Sequence, residues 1–170
     1  HGNKPYLLPD FPYLGYNYRM TDIQASIGTT QMDRAELIHQ QRTKIADKYD
    51  ALIKNIRWLK KPFRNEQFEH GFQAYVCMFS PEGINGKNIE KVNKMRNDFM
   101  DYLQQNGIST RPGTHAVHML DYYSNKYGYK NTEYMNSYIA SECSIAFPLF
   151  PTLTNEEFDY ISDNITNYKL

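Results

Sequence analysis

Apolar side chains recur at helical spacing along four stretches of the chain. In the first, residues 22–55, they stand three or four positions apart, which predicts a long helix interrupted or bent near residues 28–30. The other helical stretches are residues 88–105, 132–143 and 154–167. The first helix is long for one compact domain, so we expect it to bridge two domains or to pack against another subunit.

Local signals set the ends of several of these helices. Thr21 followed by Gln24 forms a capping box, in which each side chain bonds the backbone N–H of the other residue. The pair Thr154 and Glu157 repeats this pattern before the last helix. Three prolines within residues 3–14 predict an extended, irregular segment ahead of the first helix.

Short apolar runs between the helices predict strands. Residues 72–80 are apolar and rich in residues that favour strands, which suits a central strand, whereas residues 56–59 and 108–111 suit shorter ones. The run "SIAFPLFP" is extended and is broken by its prolines. This order of elements predicts an α+β fold, with a long connecting helix followed by a small, mainly antiparallel sheet flanked by helices.

Composition narrows the classes of partner. Hydrophobic residues make up 41% of the 170, enough for a core, and 19 basic residues balance 19 acidic ones. Nucleic acid and membrane surfaces draw a basic excess, so neither is expected as a partner. Cys77 and Cys143 show no metal or redox spacing and suit small core positions in a reducing cytoplasm. The 15 tyrosines suit interfaces and pockets, or reflect a compositional bias of the genome.

Donor groups concentrate just before the first helix. Arg19 offers a flat guanidinium suited to phosphate, Asn17 offers an amide, and the helix start adds free backbone N–H groups. These residues predict an anion site. The alternative is that Asn17 fixes a turn while Arg19 pairs with an acid such as Asp22.

The segment "TRPGTHAVH" is the second candidate site. His115 and His118 stand three apart and suit a metal, a polar substrate or a purely structural loop. No cysteine or carboxylate nearby completes a metal set, so we expect no metal. Neither candidate site includes a nucleophile with its base, so these residues alone do not define an enzyme.

Four stretches, taken together and in this order, resemble one known family. "GYNYRMTDIQASIGTTQMDR", "RTKIADKYDALI", "GISTRPGTHAVH" and "FPLFPTLTNEEFDYI" are similar to the DegT/DnrJ/EryC1/StrS sugar aminotransferases. The resemblance implies a fold-type-I enzyme that uses pyridoxal 5'-phosphate (PLP). Such enzymes transfer an amino group, usually from glutamate, to a nucleotide-linked 4-keto or 3-keto hexose. It further implies a homodimer with both active sites at the interface, serving surface polysaccharide or a similar glycan.

The resemblance also assigns roles to single residues. Asn17 would contact the cofactor phosphate in the partner subunit, and Arg19 would lie near the partner's cofactor or the diphosphate of its substrate. His118 matches the histidine of the family's aromatic-x-Pro-x-His segment, although the aromatic and the proline are both absent here. We therefore add the hypothesis that His115 takes over the contact with sugar or nucleotide.

The lysine that binds the cofactor covalently is implied to lie upstream of this chain. His1 and Gly2 match the family segment shortly after that lysine, so the chain itself supplies no catalytic residue. We expect residues 1–20 to end the large domain, residues 21–55 to connect, and residues 56–170 to form the small domain. The alternative is a non-catalytic truncated module that pairs with a full-length homologue.

Overall fold

The computed structural model describes residues 4–170, so the family match at His1 and Gly2 lies outside the described residues. The helices are α1 (Asp22–Met32), α2 (Ala35–Ile53), α3 (Ile89–Gln105), α4 (Asp121–Tyr127), α5 (Met135–Cys143) and α6 (Asn155–Asn167). The strands are β1 (Leu59–Lys60), β2 (Tyr75–Phe79) and β3 (Ser144–Phe147).

The three strands form one antiparallel sheet in the order β1-β2-β3, which confirms the α+β class and the central position of β2. Tyr75 pairs with Phe147, and Cys77 pairs with Ile145. The predicted strand at residues 108–111 was wrong, because Arg111 forms only an isolated bridge to β3. The strand predicted at residues 56–59 is shorter and later in the chain: β1 covers only Leu59 and Lys60.

A single core cluster joins the sheet to α2, α3 and α6. At its centre the ring of Tyr49 on α2 stacks on Tyr75 of β2, with centroids 4.8 Å apart, and on Phe147 of β3 at 5.7 Å. Phe158 of α6 meets the same ring edge-on at 5.0 Å. Aromatic contact therefore ties two helices to two strands.

Both cysteines are buried and unpaired, as the sequence predicted for core positions. Burial raises the pKa of the Cys143 thiol to about 11 and raises the pKa of Cys77 further. Neither thiol has the lowered pKa that marks a reactive cysteine.

The long first helix is two helices, and the predicted break near residues 28–30 was wrong. Gly28 continues α1, because the Thr29 hydroxyl bonds the carbonyl four residues before it and an exposed glycine costs a helix only about 1 kcal/mol. The chain turns instead at Asp33 and Arg34, where the Arg34 N–H bonds the Gln31 carbonyl at 3.0 Å. This tight turn separates α1 from α2.

α1 has no buried residue. Its capping box forms as predicted: the Thr21 N–H donates to Gln24 Oε1 at 2.9 Å, and the Gln24 N–H donates to Thr21 Oγ1 at 3.3 Å. The apolar side chains of α1 are nevertheless exposed, and they continue an exposed apolar row that begins before the helix. We call this row the apolar face; it consists of Tyr13, Leu14, Tyr16, Tyr18, Met20, Ile23, Ile27 and Met32.

The region after residue 112 holds more helix than the sequence indicated. A 3-10 turn at Val117–Met119 leads into α4, and a second one at Asn131–Tyr134 leads into α5. Gly128, with φ of +70°, ends α4. Among residues 4–170, no helix combines the length and the apolar character needed to cross a bilayer.

Gly113 lies where β2, β3 and the His115 loop approach one another, and its N–H donates to Ser144 Oγ at 3.0 Å. A Cβ there would overlap Val76 Cγ1 and lie 2.7 Å from Ser144 Oγ. We expect Gly113→Ala to lower the free energy of unfolding by about 1–3 kcal/mol, the usual cost of overpacking. Gly71→Ala is the matched control, since its Cβ would meet nothing within 4 Å; urea unfolding of both variants gives the comparison.

Candidate functional site

Residues 12–20 form an exposed segment between the proline-rich start and α1. Every residue in it is exposed, and Tyr16 and Tyr18 are 84% and 87% exposed. Their rings meet edge-on at 6.2 Å. The two predicted anion contacts, Asn17 and Arg19, belong to this segment.

Asn17 and Arg19 make no hydrogen bond or ion pair with any of residues 4–170. The alternative pairing of Arg19 with Asp22 is therefore absent from this part of the chain. Asn17 likewise does not bond a turn of its own segment. Both side chains present free donor groups to whatever lies outside the described domain.

The exposed segment leaves the domain at a small backbone clip. Asp10 Oδ1 accepts the N–H of Phe11 at 2.7 Å and the N–H of Asp121, the first residue of α4, at 3.1 Å. The carbonyl of Phe11 accepts the N–H of Tyr122 at 3.2 Å. The Phe11 ring meets the His115 ring edge-on at 5.9 Å. We call these contacts the Asp10 clip.

The pKa values of the two carboxyl groups near the clip, Asp10 and Asp121, are shifted in opposite directions. The hydrogen bond from the Asp121 backbone N–H, and then that from the Phe11 N–H, lower the pKa of Asp10. The Asp10 carboxylate raises the pKa of Asp121, because it can accept the proton of a neutral Asp121 carboxyl group and repels the ionised one. A carboxyl group with a lowered folded pKa stabilises above its unfolded pKa, so the contribution of Asp10 is present at neutral pH. It is lost as pH falls through the folded pKa.

The two predicted histidine contacts lie in different surroundings. His118 is only 7% exposed; its Nε2 lies 3.4 Å from the Asn131 carbonyl and its ring centroid lies 5.0 Å from that of Tyr134. His115 is half-buried against Phe11, at the base of the exposed segment. Within residues 4–170 no group of three His, Cys, Asp or Glu side chains is arranged to hold a metal ion.

A cavity of about 380 Å³ lies between the proline-rich start, α3, the His115 loop and α5. Arg96 on its wall is 3% exposed and donates from Nη1 to the Ser144 carbonyl at 3.2 Å. Burial lowers the pKa of Arg96 and raises the pKa of Glu142. Glu142 Oε2 accepts Asn93 Nδ2 at 2.8 Å. These polar groups hold α3 against α5.

The structure thus brings His115 to the clip, exposes Asn17 and Arg19 beyond it, and buries His118. Sequence reasoning missed Asp10 and Phe11. The available signal was an aspartate within a proline-rich segment, because aspartate side chains accept backbone N–H groups in such turns. Nothing local indicated that the second N–H would come from a residue 111 positions away.

Comparison with known proteins identifies the family of the chain. The sequence profile of the DegT/DnrJ/EryC1/StrS aminotransferase family matches residues 3–166. GDP-perosamine synthase of Escherichia coli O157:H7 is 31% identical over 158 residues, covering 91% of this chain and 38% of that protein. Spore coat polysaccharide biosynthesis protein SpsC of Bacillus subtilis is 23% identical over 151 residues, covering 89% and 37%.

A Streptococcus pneumoniae protein assigned as a sugar aminotransferase shares the fold. Its apo form superposes with a TM-score of 0.72 at 29% identity, covering 86% of this chain and 34% of that one. The same protein is known in PLP and pyridoxamine-phosphate forms, in line with the cofactor expected for the family. The chain therefore spans little more than a third of the length of these relatives. The profile match and the shared fold confirm the resemblance: the chain belongs to the DegT/DnrJ/EryC1/StrS aminotransferase family.

Proposed function

We propose that the complete protein containing this chain is a PLP-dependent aminotransferase. It would move an amino group from glutamate to a keto sugar carried on a nucleotide diphosphate. Family membership supports the reaction class. The relatives GDP-perosamine synthase and SpsC support a nucleotide-linked sugar and a surface polysaccharide as its context.

One observation carries the role of this chain within that enzyme: Asn17 and Arg19 are exposed donors without a partner among residues 4–170. An amide and a guanidinium, both free of their own domain, fit the phosphate of a cofactor held elsewhere. When bound, PLP supplies the electron sink for amino transfer, while the protein supplies binding and orientation. No lysine of this chain is assigned to the covalent bond.

The side chains then have distinct tasks. Asn17 donates its amide N–H to the cofactor phosphate of the partner subunit. Arg19 neutralises the cofactor phosphate or the substrate diphosphate beside it. His115 is the more exposed of the two histidines and contacts the sugar or nucleotide. His118 is packed on Tyr134 and contributes to the substrate site from a buried position.

The same surface supports the proposal of a homodimer. The apolar face defined above holds eight large exposed side chains within residues 13–32, and exposed apolar surface marks interaction sites when it is extensive. Packing this face on the upstream domain and on a second subunit would carry residues 13–20 across the interface. We place the enzyme in the cytoplasm, in keeping with its two unpaired cysteines.

The test uses the amino donor, so it does not depend on the sugar. The complete protein, loaded with PLP and mixed with L-glutamate, should release one 2-oxoglutarate per active site in a single turnover. Adding a nucleotide-linked 4-keto hexose should then make the release catalytic. A non-catalytic module that pairs with a homologue predicts no 2-oxoglutarate from purified protein, and that result would reject the proposed function.

A further inference from the structure

Two hydrogen bonds join residues 4–20 to the rest of the described chain. They are the bonds from Asp121 N–H to Asp10 Oδ1 and from Tyr122 N–H to the Phe11 carbonyl. Both arrive at adjacent residues and both come from the start of α4. The polar attachment of the N-terminal segment is therefore concentrated at one point.

Beyond that point the chain has no attachment for a long distance. Residues 12–20 are all exposed, α1 buries nothing, and the next buried residue is Ile45 in α2. Asn17 lies seven positions past Asp10. The clip therefore fixes the point at which the exposed segment leaves its domain and the direction in which it starts.

From this geometry we infer that Asp10 is a positioning residue for the active site completed in the partner subunit. Its carboxylate holds Phe11 to α4 and so fixes how far residues 13–20 reach. The inference rests on the proposed function, because it assumes that Asn17 serves a neighbouring site. In this role Asp10 acts through Phe11 and α4 and needs no contact with the cofactor.

A carboxylate suits this task for a physical reason. One oxygen accepts two backbone N–H groups, and hydrogen bonds to an ionised acceptor are roughly twice as strong as neutral ones. Asparagine in the same place keeps an acceptor oxygen of the same shape, whereas alanine keeps none. The pair Asp10→Asn and Asp10→Ala therefore separates the lost acceptor from the lost charge.

Apolar contacts offer a competing explanation for the attachment. Pro5 is buried, Tyr6 packs on the core, and the Phe11 ring meets His115. If these contacts hold the segment by themselves, removing the carboxylate will change neither its dynamics nor the cofactor affinity. The two explanations differ in a measurable way.

The first measurement follows the clip in the complete protein by hydrogen exchange and mass spectrometry. In Asp10→Ala, peptides covering residues 10–12 and 120–123 should exchange roughly tenfold faster, as expected when hydrogen bonds to a charged acceptor are lost. Asp10→Asn keeps the acceptor oxygen but loses the charge, so its exchange should fall between that of Asp10→Ala and that of the unchanged protein. The control is Asp163→Ala, which removes an exposed acid of α6 and should leave both peptides unchanged.

The second measurement is the PLP dissociation constant of the same variants. Asp10→Ala should raise it about three- to tenfold, because a loosened segment must be ordered before Asn17 engages. Asp10→Asn should raise it less than Asp10→Ala does, and the thermal midpoint of both variants should stay near that of the unchanged protein.

The outcomes distinguish a failure of the positioning role of Asp10 from a failure of the proposed function. Faster exchange with an unchanged dissociation constant would overturn the positioning role while leaving the proposed function intact. Unchanged exchange would show that the apolar contacts alone hold the segment, and would also overturn the inference. A complete protein that releases no 2-oxoglutarate from glutamate would remove the proposed function, and this inference with it.

Discussion

Tyr49→Ala should lower the free energy of unfolding by about 3–5 kcal/mol, as removal of a fully buried aromatic side chain usually does. Tyr49 has no exposed surface, and three rings pack on it from two strands and one helix. The truncation would also leave the Pro148 carbonyl without the hydroxyl that now bonds it at 2.9 Å. Domains have only about 5–15 kcal/mol in total, so the variant should be near its folding limit.

Urea unfolding, followed by the fluorescence of the single tryptophan, Trp58, measures this change. Tyr49→Phe is the matched control: it keeps the ring stacking and removes only the bond to Pro148, for about 1–2 kcal/mol. If the alanine and phenylalanine variants were equally destabilised, the stacked rings would contribute little. The aromatic cluster would then not be the centre of the core.

Asn17→Ala should raise the PLP dissociation constant of the complete protein about 10- to 100-fold. This is the range expected when a hydrogen bond to a charged group, worth about 1.5–3 kcal/mol, is removed. Asn17→Asp should be worse than alanine, because it replaces the donor with a negative charge facing a phosphate. Absorbance titration with PLP gives all three constants. Asn136→Ala, at an exposed position of α5, is the control and should bind like the unchanged protein.

Mixed dimers test which subunit Asn17 serves. One subunit carries Asn17→Ala, and the other carries a replaced cofactor-binding lysine in the upstream part of the complete protein. At a cofactor concentration where neither variant is active alone, mixing should restore activity, because one of the two sites then has both intact parts. If Asn17 acts within its own subunit, mixing restores nothing.

Sequence reasoning succeeded where the signal is local. The capping boxes at Thr21 and Thr154 form with the predicted partners, because both members of each pair lie within one helical turn. α3 begins one residue inside its predicted range and ends at Gln105, before Gly107 with φ of +74°. The central strand followed from its run of apolar residues, which includes Tyr75, Val76 and Phe79.

The sequence-based predictions failed where contacts between residues far apart in the chain determine the structure. No glycine or proline marks the turn at Asp33 and Arg34, whereas Gly28 gave a false signal inside α1. α4 was missed because it is short, and its start is held by a residue at the other end of the chain. The burial of His118 depends on Tyr134, which arrives from a separate 3-10 turn. Asn17 and Arg19 lie in an exposed segment, and the motif gave no indication of what holds that segment.

The 11 residues of α1 have a further consequence for assembly. Helices shorter than about 12–15 residues are marginal in water, and α1 gains nothing from its own domain. We therefore expect α1 to gain much of its helicity only when it meets its partner surface, so that part of the secondary structure forms together with the oligomer. Helical circular dichroism would then rise with protein concentration. The affinity between subunits would include the entropic cost of ordering this segment.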